Sequence, residues 1–220
     1  MLYDLSVPIE EGMAKIPVLP EVKIRLVHGL AEGAPLEIRE LTIATHIGTH
    51  MDAPSHAILG GRTIDEIPLQ DVCGPCVVIR VAAQPGHAIA LTEVLHSGPE
   101  IQPGDIVLLD TGWAARRQDP SYFANPYLAQ DLADYLVKQQ VKVVGVDCIT
   151  VDMPVSARPP GFNFPIHRTL LGNGVLIIEN LEDMSAVSGK RGYIWAFPIK
   201  IKGSDAGHVR VVFSLQKIAT

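Results

Sequence analysis

The sequence predicts a mixed α/β fold, a single domain over residues 1–220 whose several strands are covered by a few helices, and three observations predict it. Hydrophobic residues make up 47% of the 220 positions, enough for one large core, and no second core is announced. Glycine and proline are scattered as turn punctuation, with no repeat and no low-complexity linker. Short β-branched runs outnumber amphipathic stretches, so strands outnumber helices.

In chain order, strand-like runs cover Lys23 to Val27, Leu36 to Ala44, Cys76 to Val81, Asp105 to Leu109, Val141 to Val146, Val175 to Glu179, Tyr193 to Ile201 and Val209 to Leu215. The clearest helix is Leu128 to Gln140, where Leu128, Leu132, Tyr135 and Leu136 share one face. A shorter helix starts near Leu91, with Thr92 and Glu93 in its first turn and Gly98 at its end. A third spans Ile166 to Leu171.

Charge and cysteine usage narrow the function classes. Net charge is −6, and the 18 lysines and arginines are dispersed, so the basic stripe of a nucleic-acid binder is missing and a small-molecule substrate is expected. No apolar run approaches a membrane span, and Met1-Leu2-Tyr3-Asp4-Leu5 lacks the basic and apolar regions of a signal peptide. The three cysteines suit a reducing compartment, so the expected location is the cytoplasm. Cys73-Gly74-Pro75-Cys76 has redox-motif spacing but no second ligand pair, and it runs straight into a strand.

Chemistry concentrates in His46-Ile47-Gly48-Thr49-His50-Met51-Asp52-Ala53-Pro54-Ser55-His56, which holds three of the eight histidines within eleven residues. Gly48 and Pro54 argue against a helix, and in an extended segment the even-numbered His46, His50, Asp52 and His56 would project to one side. The expected setting is a strand leading into a turn. Imidazole nitrogen and carboxylate oxygen suit zinc, manganese or iron, and several such ligands on one short segment preorganise a site.

This motif, together with Asp4-Leu5-Ser6-Val7-Pro8, the segment Gly145 to Asp152, the segment from His167 through Glu179 and the terminal Pro198 to Arg210, resembles the cyclase family of metal-dependent hydrolases, which includes kynurenine formamidase and isatin hydrolase. The matches occur in the family's order and cover most of the chain. The resemblance implies a swivelling β/β/α-like fold and a pair of divalent ions, zinc first and manganese as the alternative. It makes His46 and His50 ligands of one ion, His167 a ligand of the second, Asp52 and Glu179 shared ligands, and His56 the general acid/base. The spacing of twelve from His167 to Glu179 is retained. A homodimer or homotetramer is also implied by the resemblance alone.

The activity it implies is hydrolysis of a carbon–nitrogen bond other than a peptide bond, through metal-activated water, in an aryl formamide such as N-formylkynurenine. The alternative is opening of a cyclic amide, imide or lactone, as in isatin hydrolase. A second alternative is a metal-dependent binding protein without turnover, which leaves His56 unexplained. Where the formamidases carry an aromatic residue in an early proline-rich loop, this chain has Pro17-Val18-Leu19-Pro20, so Leu19 is the candidate substrate contact and supplies apolar area without an aryl face. Asp147 and Asp152 can shape a pocket but serve turn and capping roles as readily, Arg168 and Arg210 can orient a carboxylate bidentately or equally hold an internal ion pair, and His28, His87, His96 and His208 have no clustered partners in the sequence.

Overall fold

The structure, a computed structural model, describes residues 1–216. Twelve strands run in order: β1 (Leu2–Asp4), β2 (Lys23–His28), β3 (Ile38–Thr42), β4 (His50–Asp52), β5 (Cys73–Arg80), β6 (Ala88–Ile89), β7 (Ile106–Asp110), β8 (Tyr127–Leu128), β9 (Val143–Val146), β10 (Leu176–Glu179), β11 (Arg191–Pro198) and β12 (Ala206–Ser214). Three helices accompany them: α1 (Leu91–His96), α2 (Gln130–Lys138) and α3 (Pro165–Gly172).

The main sheet has the order β1-β12-β11-β5-β7-β9-β10-β4, and β4 pairs again with β12. That second pairing closes the sheet into a ring. Strands β5, β7, β9 and β10 are parallel, the arrangement that needs crossover connections, and α1, α2 and α3 lie on those crossovers. Closure removes the open edge that a short strand such as β4 would otherwise present.

Period-two alternation explains the two cores. Cys76, Val78, Ile106, Leu108, Val143, Ile178, Ile194, Val211 and Phe213 fill one side of the closed sheet together with Met51. Their sequence neighbours Val77, Ile79, Val107, Leu109, Val144, Val146 and Ile177 face the other way, onto Leu132, Leu136, Ile166 and Leu170 of the helices. Each such side chain removed from water contributes about 1.5–3 kcal/mol. Because the parallel strands bury both faces, they read as continuous apolar runs, which is why the sequence locates them well.

Several boundaries differ from expectation. The helix expected over Leu128 to Gln140 begins only at Gln130, because Leu128 pairs in β8 and its amide bonds the Val151 carbonyl. It ends at Lys138, with Gln140 left-handed at φ 55°. The expected strand through Ala44 stops at Thr42 and pairs only with β2, outside the main sheet. The strand–turn setting expected for His46 to His56 is partly reversed: His46 sits in a turn, His50 to Asp52 form β4, and Pro54–His56 form a single 3-10 turn. Cys73 and Cys76 are unpaired thiols on β5, and burial pushes the Cys76 thiol well up from its ordinary value, against a redox role.

Candidate active site

Four elements deliver the side chains. On β4, Met51 points into the closed core, so His50 and Asp52 point outward together. In register, His50 lies opposite Glu179 of β10 on one side and His208 of β12 on the other. Glu179 stands at the C-terminal end of its parallel strand, the usual position for functional groups in such sheets. Helix α3 lies over this face and lowers His167 onto it.

Asp52 and Glu179 each divide their two oxygens. Oδ1 of Asp52 lies 3.0 Å from His46 Nδ1 and 3.4 Å from His50 Nε2, while Oδ2 lies 3.5 Å from His167 Nε2. Glu179 repeats the pattern, with Oε2 3.6 Å from His50 Nε2 and Oε1 3.3 Å from His167 Nε2. The structure therefore brings His46, His50, Asp52, His167 and Glu179 into one cluster. His56 joins it: its ring centroid is 4.0 Å from that of His46 and 5.5 Å from that of His167.

The tautomers are set from behind. His50 Nδ1 donates to the Gly48 carbonyl at 2.8 Å, which leaves a lone pair on Nε2. His167 Nδ1 donates to Asp152 Oδ2 at 2.6 Å, and the same carboxylate accepts the backbone amides of Ile166 and His167 at 3.1 Å, capping α3 and fixing the imidazole at once. His46 Nε2 lies 2.9 Å from Asp205 Oδ2, and His56 Nδ1 lies 3.3 Å from the same oxygen.

Donor geometry fits a cation. His50 Nε2 and both oxygens of Asp52 are buried with no hydrogen-bond partner, although imidazole nitrogens stand close by. Each orphan costs about 1–3 kcal/mol unless something electropositive fills the gap. One atom from each of His46, His50 and Asp52 lies within 4.8 Å of the others, and the same holds for Asp52, His56 and His167. The second set admits His56 as a ligand on distance alone. His56 differs from the others in being the most solvent-open imidazole of the cluster, with 31% of its side chain exposed against 1% for His50 and 6% for His167.

Electrostatics point the same way. Burial works against a charged His46, yet the Asp52 and Asp205 carboxylates outweigh it and raise its pKa to about 9. For His167, burial is likewise overcome by Asp152, Asp52 and Glu179, and its pKa rises. Burial opposes ionisation of Asp52, but the imidazoles of His167, His46 and His50 hold its carboxyl well below the ordinary range. The cluster is thus a trap for positive charge, and protons take it when nothing else does. His56 goes the other way: burial, with His46 and His167 nearby, lowers its pKa despite the pull of Asp52 and Glu179.

A cavity of about 380 Å³ is lined by His46, His56, His167 and Glu179 together with Ile16, Val18, Leu19, Arg158, Phe164 and Arg168. Leu19 is among the residues that line the cavity. Phe164 holds a left-handed backbone (φ 54°) at the start of α3, and Asn180 does so (φ 58°) just after Glu179, so two of the three non-glycine residues with this strain among the described residues flank the cluster. A larger cleft of about 900 Å³ near Lys15, Arg117 and Glu182 gathers no such set of donors.

Sequence reasoning passed over Asp152 as a turn residue and did not single out Asp205. His208, read as having no clustered partners, is the register neighbour of His50. Arg210 pairs with Asp4 and His87 with Glu93, away from the cavity, while Asp147 accepts the amides of Thr111 and Trp113.

Residues 3–153 match the family described as putative cyclase. The chain belongs to the cyclase family. A kynurenine formamidase of Polaromonas naphthalenivorans (strain CJ2) is 29% identical over 96% of this chain and 89% of its own length. Among solved structures, one described as a predicted metal-dependent hydrolase from Bacillus stearothermophilus is 31% identical, with a TM-score of 0.79 over 97% of both chains. Isatin hydrolase A from Ralstonia solanacearum shares the fold at TM-score 0.86 and 23% identity, over 97% of this chain and 91% of its own. The closed mixed sheet described above is thus the cyclase-family fold. Among the described residues no helix is long and apolar enough to cross a membrane.

Proposed function

We propose that this cyclase-family chain is a metal-dependent hydrolase that cleaves a carbon–nitrogen bond of a small molecule, with an aryl formamide such as N-formylkynurenine as its substrate. The observation that carries the reading is the split of Asp52 and Glu179, each of which offers one oxygen toward His50 and the other toward His167. Two carboxylates so shared suit two divalent ions, and the nitrogen and oxygen donors suit zinc first and manganese second. We assign His46 and His50 to one ion, His167 to the other, and Asp52 and Glu179 to both. When bound, such ions acidify a water molecule and polarise a carbonyl oxygen.

The chain's own residues supply the rest. His56, tethered through Nδ1 to Asp205, keeps Nε2 free and is neutral near pH 7, so it takes a proton from the attacking water and passes it to the departing amine. Asp205 fixes the imidazoles of His46 and His56 together. Asp152 holds His167 in the tautomer that exposes Nε2. Ile16, Val18 and Leu19 provide an apolar wall for an aryl group.

Zinc-loaded protein is expected to release formate from N-formylkynurenine faster than it opens cyclic amides, imides or lactones; the reverse preference, strongest with manganese, would replace this reading with the isatin hydrolase-like one. In the same assay Leu19→Trp restores an aryl face, and a gain of about 0.5–1.5 kcal/mol in stacking lowers KM for the aryl formamide by about two- to ten-fold. An unchanged KM removes Leu19 from the substrate wall.

We also read the whole chain, residues 1–220, as one unit that associates as a homodimer or homotetramer in the cytoplasm. The β2–β3 hairpin supports association: Leu26, Ile38 and Leu41 on its strands and Leu30 and Leu36 in its loop are all exposed. Light scattering should give at least twice the chain mass; a monomer at micromolar concentration would remove this reading.

A further inference from the structure

Arg158 stands on the wall of the same cavity as His46, His56, His167 and Glu179. Its guanidinium carbon lies 4.7 Å from the Phe164 ring centroid and 5.2 Å from that of Phe162, and its Nε donates to the Met153 carbonyl at 2.8 Å. Two aromatic contacts and one anchored nitrogen fix the plane of the side chain. Six other arginines, Arg25, Arg39, Arg80, Arg117, Arg191 and Arg210, each pair with a carboxylate. Among the described residues no carboxylate forms such a pair with Arg158.

The nearest acids do not fill that gap. Asp152 is committed to His167 and the α3 amides, and Glu179 to the metal-type cluster and the Val151 amide. Burial pushes the Arg158 guanidinium down from its ordinary value, and Asp152 and Glu179 only partly offset this. A half-buried cation with no counter-ion beside a reaction centre is costly for the fold alone, and its planar fork matches a carboxylate in bidentate fashion. Arg168, on the same cavity, is exposed to water and so a weaker anchor.

We infer that Arg158 receives a carboxylate carried by the substrate away from the scissile bond, so that the cavity selects aryl amides that bear a carboxylate over those that lack one. This rests on the hydrolase reading above and adds the charge class of the substrate to it. The Phe162 and Phe164 rings keep the guanidinium presented, and Ile16, Val18 and Leu19 of the same cavity take the aryl group.

The test compares N-formylkynurenine with its α-carboxamide, which lacks the carboxylate, in metal-loaded wild type, Arg158→Met and Arg158→Lys. Wild type is expected to favour the carboxylate by about ten- to a hundred-fold in kcat/KM, the range of a charge-assisted hydrogen-bond pair. Arg158→Met should bring that ratio close to one, mainly through KM, and Arg158→Lys should retain part of it. A ratio that survives in Arg158→Met overturns the inference, as does a wild type without preference. Calorimetric titration with kynurenine and kynureninamide reads the same ratio without turnover. If wild type hydrolyses neither substrate, the aryl formamide reading fails, and the titration still decides whether Arg158 selects the carboxylate.

Discussion

Replacing His56 with alanine is expected to lower kcat by about 10²- to 10⁴-fold, the usual contribution of a positioned proton carrier, while metal content stays at the wild-type level. His56 lines the cavity with 31% of its side chain exposed, so its loss leaves no void in the core. The pH profile supplies the sign. Proton abstraction needs the neutral imidazole, so activity falls as pH drops through the His56 pKa. Burial and the neighbouring His46 and His167 set that limb below the ordinary imidazole value. His56→Ala should abolish the limb. A variant that loses metal would make His56 a ligand, as its distance to Asp52 and His167 permits, and full kcat with an unchanged profile would end the acid/base assignment.

Asp52→Asn should remove metal as well as activity. Asp52 is fully buried between His46 and His50 on one side and His167 on the other, so removing its charge weakens both halves of the cluster together. Elemental analysis of zinc-loaded wild type is expected to find two ions per chain, and fewer than one in Asp52→Asn. Activity should fall by more than the 10- to 100-fold typical of outer-shell changes. His50→Ala ought to be milder, with part of the activity restored by excess metal. Uptake should release protons below pH 9, because His46 is held protonated up to about 9 in the ion-free protein and must become neutral to ligate. Saturation of wild type at one ion would dismiss the paired site, and an Asp52→Asn protein that keeps two would dismiss the shared carboxylate.

The sequence by itself determined the α/β class, because apolar runs such as Ile106 to Leu109 and Val143 to Val146 are buried on both faces and leave an unbroken hydrophobic signal. It also marked His46, His50, Asp52 and His56, which sit close together in the chain, whereas His167 and Glu179 were reached only through the resemblance to the cyclase family. Weakly periodic pieces were not legible. Strand β4 is three residues long, too short to show a period, and Leu128 follows the helical pattern yet pairs in a strand. Only the tertiary structure decided that β4 closes the sheet against both β10 and β12, which sets His50 opposite Glu179 and His208. It alone joined Asp205 to His56 across 149 residues, and Asp152 to His167 across the loop that carries Arg158 and Phe164. These partnerships depend on which strands become neighbours, and strand order follows from burying two apolar faces at once, a constraint that no local segment of the chain encodes.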